Sequence, residues 1–124
     1  MKTTTLIVSP NTANIELLVS ELQQRGYQVY TADNSSEALE LVKKEKYALV
    51  LIDDLLQDMS IIDLISSVMH VDFAINIGLI TNMSPSEIHE KFEGWGIVGA
   101  IPNPVDTDGI GSFLKRLDMA LQFS

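Results

Sequence analysis

Short apolar runs alternate with amphipathic stretches along the whole chain. Runs of about four to eight residues that are rich in Val, Ile and Leu are typical of strands covered on both faces. Five such runs predict strands at 5–8, 27–32, 47–52, 74–81 and 97–102. Apolar residues that recur every three or four positions predict helices at 14–22, from 34 onwards, at 60–70, from 84 to the glycines at 94 and 96, and at 109–123.

Helix-capping residues mark the start of two of these helices. Asn34 is followed three residues later by Glu37, which is the spacing of an N-cap and its partner. The segment 84–87, Ser-Pro-Ser-Glu, combines a capping hydroxyl, a proline in the first turn and a returning glutamate. Strands that alternate with helices predict an α/β fold, in which right-handed crossovers join a parallel sheet with helices on both faces. No linker or repeat interrupts the pattern, so residues 1–124 are predicted to form one domain.

The polar residues that follow the predicted strands are the candidates for function. In open sheets of this class, ligands bind at the carboxyl ends of the strands. The residues at those ends are Ser9, Pro10 and Asn11 after the first strand, Asp53 and Asp54 after the third, Thr81 and Asn82 after the fourth, and Asn103 and Pro104 after the fifth.

Composition and charge exclude several classes of function. The chain has no cysteine, which excludes a disulfide scaffold, a thiolate zinc site and a cysteine nucleophile. Its formal net charge is −9 at pH 7, so direct binding to nucleic acid or to an anionic membrane is not expected. No apolar run approaches the ~20 residues that span a bilayer, and the segment 1–5 leads into the first strand without a separate signal region. We therefore expect a cytoplasmic protein without a membrane segment.

The third apolar run and the loop after it resemble the receiver domain of bacterial two-component response regulators. Within the segment 48–64, Asp53 ends the apolar run and occupies the position that is phosphorylated in that family. Thr81 matches the family's switch hydroxyl, and Pro104 matches the proline that follows a family lysine. The resemblance covers the whole chain. It implies a doubly wound, flavodoxin-like sheet of five parallel strands in the order 2-1-3-4-5, with two helices on one face and three on the other, and a cis peptide bond between Asn103 and Pro104.

Three features depart from the family's pattern. The family's first strand ends in an acidic pair that binds magnesium, whereas Ser9 and Pro10 occupy those positions here. Asn103 replaces the family's lysine, and Ala100 replaces an aromatic residue three positions earlier. Magnesium and the lysine neutralise the phosphoryl oxygens during transfer, and magnesium needs an oxygen shell that includes carboxylates. The sequence therefore predicts a degenerate pocket that holds no metal or other cofactor.

The side chains that remain predict how such a pocket satisfies its one carboxylate. We expect Ser9, Thr81 and Asn103 to hydrogen-bond Asp53. Asp54 is expected to point away from Asp53, because neighbouring residues of a strand face opposite sides of the sheet. The alternative is that Asp53 is a working phosphoacceptor, in which case magnesium would be required.

Three functions remain open at this stage. The first is a non-enzymatic, atypical receiver that acts in phosphorelay-type signalling through protein–protein contact, without magnesium-dependent phosphorylation. The second is a working receiver that takes a phosphoryl group from a histidine kinase at Asp53. The third is a flavin- or nucleotide-binding domain of flavodoxin-like fold. The expected partner is a protein, for which a histidine kinase, an output domain and a second copy of the chain are the alternatives.

Apolar residues of two helices are candidates for a surface that binds this partner. Ile88 and Phe92 are spaced as a helical pair, and Trp95 follows them between two glycines. The alternative for the tryptophan is packing against its own domain. The helix at 60–70 is apolar over more than one face, which indicates either burial or an exposed patch.

Overall fold

The computed structural model describes residues 4–122 and contains all five predicted strands and all five predicted helices. Among the predicted residues, Phe123 of the last helix and the segment 1–3 lie outside the described part. The strands are β1 (Thr4–Val8), β2 (Gln28–Ala32), β3 (Leu49–Asp53), β4 (Asn76–Ile80) and β5 (Ile97–Ile101). The helices are α1 (Thr12–Gln24), α2 (Ser35–Lys44), α3 (Ile61–Val71), α4 (Pro85–Lys91) and α5 (Thr107–Gln122).

The strands form one parallel sheet in the order β2-β1-β3-β4-β5, as predicted. Each of its faces is covered by helices, because the central strands are apolar on both sides. All five residues of β3 are buried. The core residues on one face come from α1 and α5, and those on the other face from α2, α3 and the end of α4. The predicted distribution of two helices on one face and three on the other is therefore confirmed.

A glycine in β4 allows the closest packing between the sheet and α5. Gly78 lies under the ring of Phe113, whose side chain is 1% exposed. A β-carbon added at Gly78 would lie 2.6 Å from Cζ of Phe113 and 2.7 Å from Cδ2 of Leu51. The sheet can therefore accommodate this large aromatic ring only because residue 78 has no side chain.

The predicted helix caps are present. Asn34 Oδ1 accepts a hydrogen bond from the Glu37 backbone N–H at 2.9 Å, and the Glu37 carboxylate accepts from the N–H of Asp33, one residue before the cap. At the start of α4, Ser84 and Glu87 form a complete capping box. The caps fix the chain direction at the carboxyl edge of the sheet, where the candidate site lies.

Asp58 connects the loop after β3 to the first turn of α2. Its Oδ2 accepts a hydrogen bond from the Ser35 backbone N–H at 3.0 Å, so a carboxylate from another loop supplements the Asn34 cap. We expect Asp58→Ala to lower the free energy of unfolding by about 1 kcal/mol, because the helix N-terminus loses an acceptor and a favourable negative charge. Thermal unfolding would measure the change, with Gln57→Ala at the exposed neighbouring position as the control. Equal effects of the two variants would contradict this role of Asp58.

The apolar helix α3 buries one face against the sheet and leaves two apolar residues partly exposed. Leu64, Ile65 and Val68 are fully buried against the sheet, and only Ile62 and Val71 expose about 41% of their surface. Phe73, in the turn that follows, is 87% exposed, the highest value among the large apolar residues whose exposure the structure describes. Within residues 4–122, every helix is too short or too polar to cross a membrane.

Candidate functional site

The carboxyl edge of the sheet brings together the polar residues that the sequence singled out. Asp53 is the last residue of β3 and is 0% exposed, and Ser9 and Thr81, directly after β1 and β4, are 1% and 2% exposed. Pro10 is exposed, and Asn103 is half-buried in the loop between β5 and α5. A buried carboxylate is costly unless it accepts hydrogen bonds, so its partners decide what the site can do.

Both carboxylate oxygens of Asp53 have hydrogen-bond donors. The Ser9 hydroxyl donates to Oδ2 at 2.8 Å, and the Leu55 backbone N–H donates to Oδ1 at 3.1 Å. The Asn14 amide adds a longer contact to Oδ2 at 3.5 Å. The prediction that Ser9 hydrogen-bonds Asp53 is confirmed. All of these donors are neutral groups.

Asn14 is a site residue that the sequence reasoning missed. Its Nδ2 donates to Asn103 Oδ1 at 3.0 Å and also reaches Asp53, so it bridges the two residues. The prediction that Asn103 itself hydrogen-bonds Asp53 is wrong, because its side-chain oxygen faces the Asn14 amide. Asn14 lies in the first turn of α1, directly after the loop that carries Ser9, and nothing in its residue type indicated this contact.

The prediction that Thr81 hydrogen-bonds Asp53 is also wrong. The Thr81 hydroxyl donates to Asp54 Oδ2, and Thr81 Oγ1 accepts from the Met83 backbone N–H at 3.2 Å. The register of the sheet explains this pairing. Asp53 lies beside Ile80, so the next residues along the two parallel chains, Asp54 and Thr81, are neighbours on the opposite side. The expectation that Asp54 points away from Asp53 agrees with this arrangement.

The loops after β4 and β5 are also connected to each other. Asn82 Oδ1 accepts a hydrogen bond from the Asn103 backbone N–H at 2.8 Å. The peptide bond between Asn103 and Pro104 is cis, as the family resemblance predicted. In the part of the chain that the structure describes, no group of three or more His, Asp or Glu side chains is placed to hold a metal ion.

The predicted partner surface is only partly exposed. Phe92 exposes little to it, because this side chain is 5% exposed and packs in the core. Ile88 and Trp95 are half-buried against the same core and keep part of their surface accessible. Ile88, Gly99 and Ala100 line an open cavity of about 740 Å³ between α4, β5 and α5, and Trp95 is not part of this lining. The small residues of β5 leave this cavity open.

Comparison with known proteins agrees with the fold. The family model for the response regulator receiver domain matches residues 5–115. Sporulation initiation phosphotransferase F of Bacillus subtilis is 25% identical over 112 residues, which cover 90% of each chain. The chain therefore belongs to the response regulator receiver domain family.

Solved structures of similar fold include two receivers from distant sources. Chemotaxis response regulator CheY4 of Vibrio cholerae superposes with a TM-score of 0.84 at 20% identity, over 94% of this chain and 99% of that one. A CheY-like receiver domain protein from Methanospirillum hungatei superposes with a TM-score of 0.83 at 23% identity, over the full length of both chains. At these identities the structural similarity defines the fold alone.

Proposed function

We propose that this receiver domain acts in two-component signalling through protein–protein contact, as a non-enzymatic module, without magnesium-dependent phosphorylation at Asp53. The observation that carries the proposal is the set of donors around this carboxylate. Ser9, Asn14 and the Leu55 N–H satisfy both of its oxygens with neutral groups. A phosphoacceptor needs cationic groups instead, because the incoming phosphoryl oxygens repel a carboxylate.

The residues near Asp53 are poorly suited to a magnesium ion. Magnesium binds oxygen ligands in octahedral geometry, commonly with one or two carboxylates. Pro10 has no side-chain oxygen, and the Ser9 hydroxyl already donates to Asp53. The second nearby carboxylate, Asp54, accepts the Thr81 hydroxyl. A metal at Asp53 would have to displace these hydrogen bonds and would gain only one carboxylate ligand.

The side of the domain formed by α4, β5 and α5 is the surface that we assign to the partner. In the receiver family this side commonly forms the output and dimer surface. Here it presents the accessible part of Ile88 in the open cavity, and Trp95 follows α4 between two glycines, 94 and 96, that also line the cavity. A partly accessible tryptophan is the kind of residue that often contributes most to protein–protein binding.

Affinity capture from a lysate of the source organism tests the proposal. A protein retained by the wild-type domain should be retained equally by Asp53→Asn, and its retention should fall at least about tenfold with Trp95→Ala. Tyr30→Ala, on β2 at the opposite edge of the sheet from β5, is the matched control for loss of an accessible aromatic residue. Loss of the partner with Asp53→Asn, together with retention by Trp95→Ala, would contradict the proposal.

A magnesium titration tests the metal part of the proposal separately. We expect the backbone amide signals of Ser9, Asp53 and Leu55 to show no saturable change at millimolar magnesium. Saturable binding that disappears in Asp53→Asn would show that the pocket holds the metal.

One observation favours the second candidate, a working receiver. Asp53 ends β3 and lies at the edge of the sheet where ligands bind in this fold. Phosphotransfer from a histidine kinase to Asp53 would then be the function. The family match favours both receiver hypotheses over a flavin- or nucleotide-binding domain.

A further inference from the structure

Asp54 joins the end of β3 to the end of β4 by two hydrogen bonds. Its backbone N–H donates to the Ile80 carbonyl at 3.1 Å, and its carboxylate accepts the Thr81 hydroxyl. Thr81 is 2% exposed, so water does not compete freely for this hydroxyl. A hydrogen bond from a buried hydroxyl to a carboxylate is among the stronger side-chain hydrogen bonds.

This contact uses the only proton that Thr81 can donate. A threonine hydroxyl carries one O–H donor, and that proton points to Asp54. The same oxygen accepts the Met83 N–H, which fixes the first turn of the loop between β4 and α4. While these bonds are present, Thr81 cannot also donate to Asp53.

The loop between β4 and α4 is also bonded to the loop after β5, because the Asn82 side chain accepts a hydrogen bond from the N–H of Asn103. Neither this bond nor the bond between Thr81 and Asp54 involves the Asp53 carboxylate. The contacts of Asp53 reach this loop only indirectly, through Asn14 and the side chain of Asn103.

We propose that Asp54 is a positioning residue that holds the β4–α4 loop in one conformation by binding the Thr81 hydroxyl, and so makes the position of the loop independent of Asp53. This inference rests on the proposed function and specifies how its site is regulated. Asp54 then determines the position of the first turn of α4, which lies next to the surface assigned to the partner. Asp54 keeps that surface ready to bind without any change at Asp53.

Hydrogen exchange measured by NMR on the full chain tests the role of Asp54. In Asp54→Ala, exchange of the Met83 amide should rise about tenfold or more relative to the amides of β3, because the local hydrogen bonds open independently of the core. Asp54→Asn keeps an acceptor oxygen and should restore most of the protection. Asp53→Asn and Asp58→Ala, which alter neighbouring acidic residues of the same segment, should leave Met83 exchange within about twofold.

A uniform rise in amide exchange across the whole domain in Asp54→Ala would indicate general destabilisation and would overturn the proposal, as would unchanged exchange at Met83.

A second NMR measurement uses the wild-type protein and needs no variant. The Thr81 hydroxyl proton of the wild-type protein should exchange slowly enough to be observed, with nuclear Overhauser contacts to the β protons of Asp54. Contacts to Asp53 instead would overturn the assignment.

The two proposals can fail separately. Phosphorylation of the wild-type domain at Asp53 would refute the proposed function without changing the Met83 exchange result. Unchanged exchange of the Met83 amide in Asp54→Ala would refute the role of Asp54. That result would not change the prediction that Asp53 is not phosphorylated.

Discussion

Gly78→Ala should lower the free energy of unfolding by about 2–3 kcal/mol, near the upper end of the cost of overpacking a core. The added methyl group would lie 2.6 Å from the Phe113 ring and 2.7 Å from a methyl group of Leu51. Neither neighbour can withdraw easily, because both side chains are fully buried. Thermal unfolding should therefore show a decrease of roughly 4 °C in the midpoint for each kcal/mol lost.

The same substitution at another glycine provides the matched control. Gly111 lies inside α5, and a β-carbon added there would meet no atom within 4 Å beyond its chain neighbours and the backbone of its own helix. Gly111→Ala should raise stability by up to about 1 kcal/mol, since alanine favours the helix. Phe113→Leu should relieve part of the damage in Gly78→Ala, because the smaller side chain leaves room for the methyl group. A stable Gly78→Ala protein would contradict the close packing of β4 against α5.

Ser9→Ala should destabilise the domain by about 2 kcal/mol, the usual scale for a hydrogen bond to a charged group. The Ser9 hydroxyl is the closest donor to Asp53, at 2.8 Å, and both residues are buried. Without it, one oxygen of a fully buried carboxylate keeps only the long contact from Asn14. Chemical denaturation at pH 7 would measure the loss.

A double-mutant cycle separates this interaction from other effects of Ser9. The hydroxyl oxygen also accepts the N–H of Asn11, and that bond is lost in any background. In the Asp53→Asn background the neutral amide needs no strong donor, so Ser9→Ala should cost less than about 1 kcal/mol there. We expect Asp53→Asn alone to change stability by no more than about 1 kcal/mol, because relief of a buried charge offsets a less suitable hydrogen-bond pattern. Equal costs of Ser9→Ala in both backgrounds would contradict the pairing.

The fold could be predicted because its signals are local. The apolar run that became β3 and the capping box at Ser84 each specify one element without reference to the rest of the chain. The observed ends of the strands and helices differ from the predicted ends by a few residues. The strand predicted at 74–81 spans Asn76–Ile80, because a strand ends where its hydrogen-bonded neighbour ends, and the sequence does not mark that point.

The contacts within the site were harder to predict, because they depend on the register between strands. Val8 lies beside Ile52, so Ser9 and Asp53 follow on the same side, and this pair was predicted correctly. Thr81 follows Ile80, which lies beside Asp53, so its natural neighbour is Asp54. Choosing between the two aspartates requires the register of β3 and β4, and the sequence pattern does not specify it.

The Asn14 contact was missed for a different reason. A helix residue reaches the site only if the first turn of α1 is placed over the ends of the strands. That placement depends on how Ile15 and Leu18 pack on the sheet. An asparagine in the first turn of a helix is a common surface residue, so its type gave no indication of the contact with Asp53 and Asn103.

The most direct test of the account is phosphorylation of the intact domain by acetyl phosphate in the presence of magnesium, followed by mass spectrometry. The wild-type protein and Asp53→Asn should both remain unmodified. The triple variant Ser9→Glu, Pro10→Asp and Asn103→Lys restores the family's acidic pair and lysine, and it should gain a phosphoryl group at Asp53. If the wild-type protein gains a magnesium-dependent phosphoryl group that is absent from Asp53→Asn, the domain is a working receiver and the account is wrong.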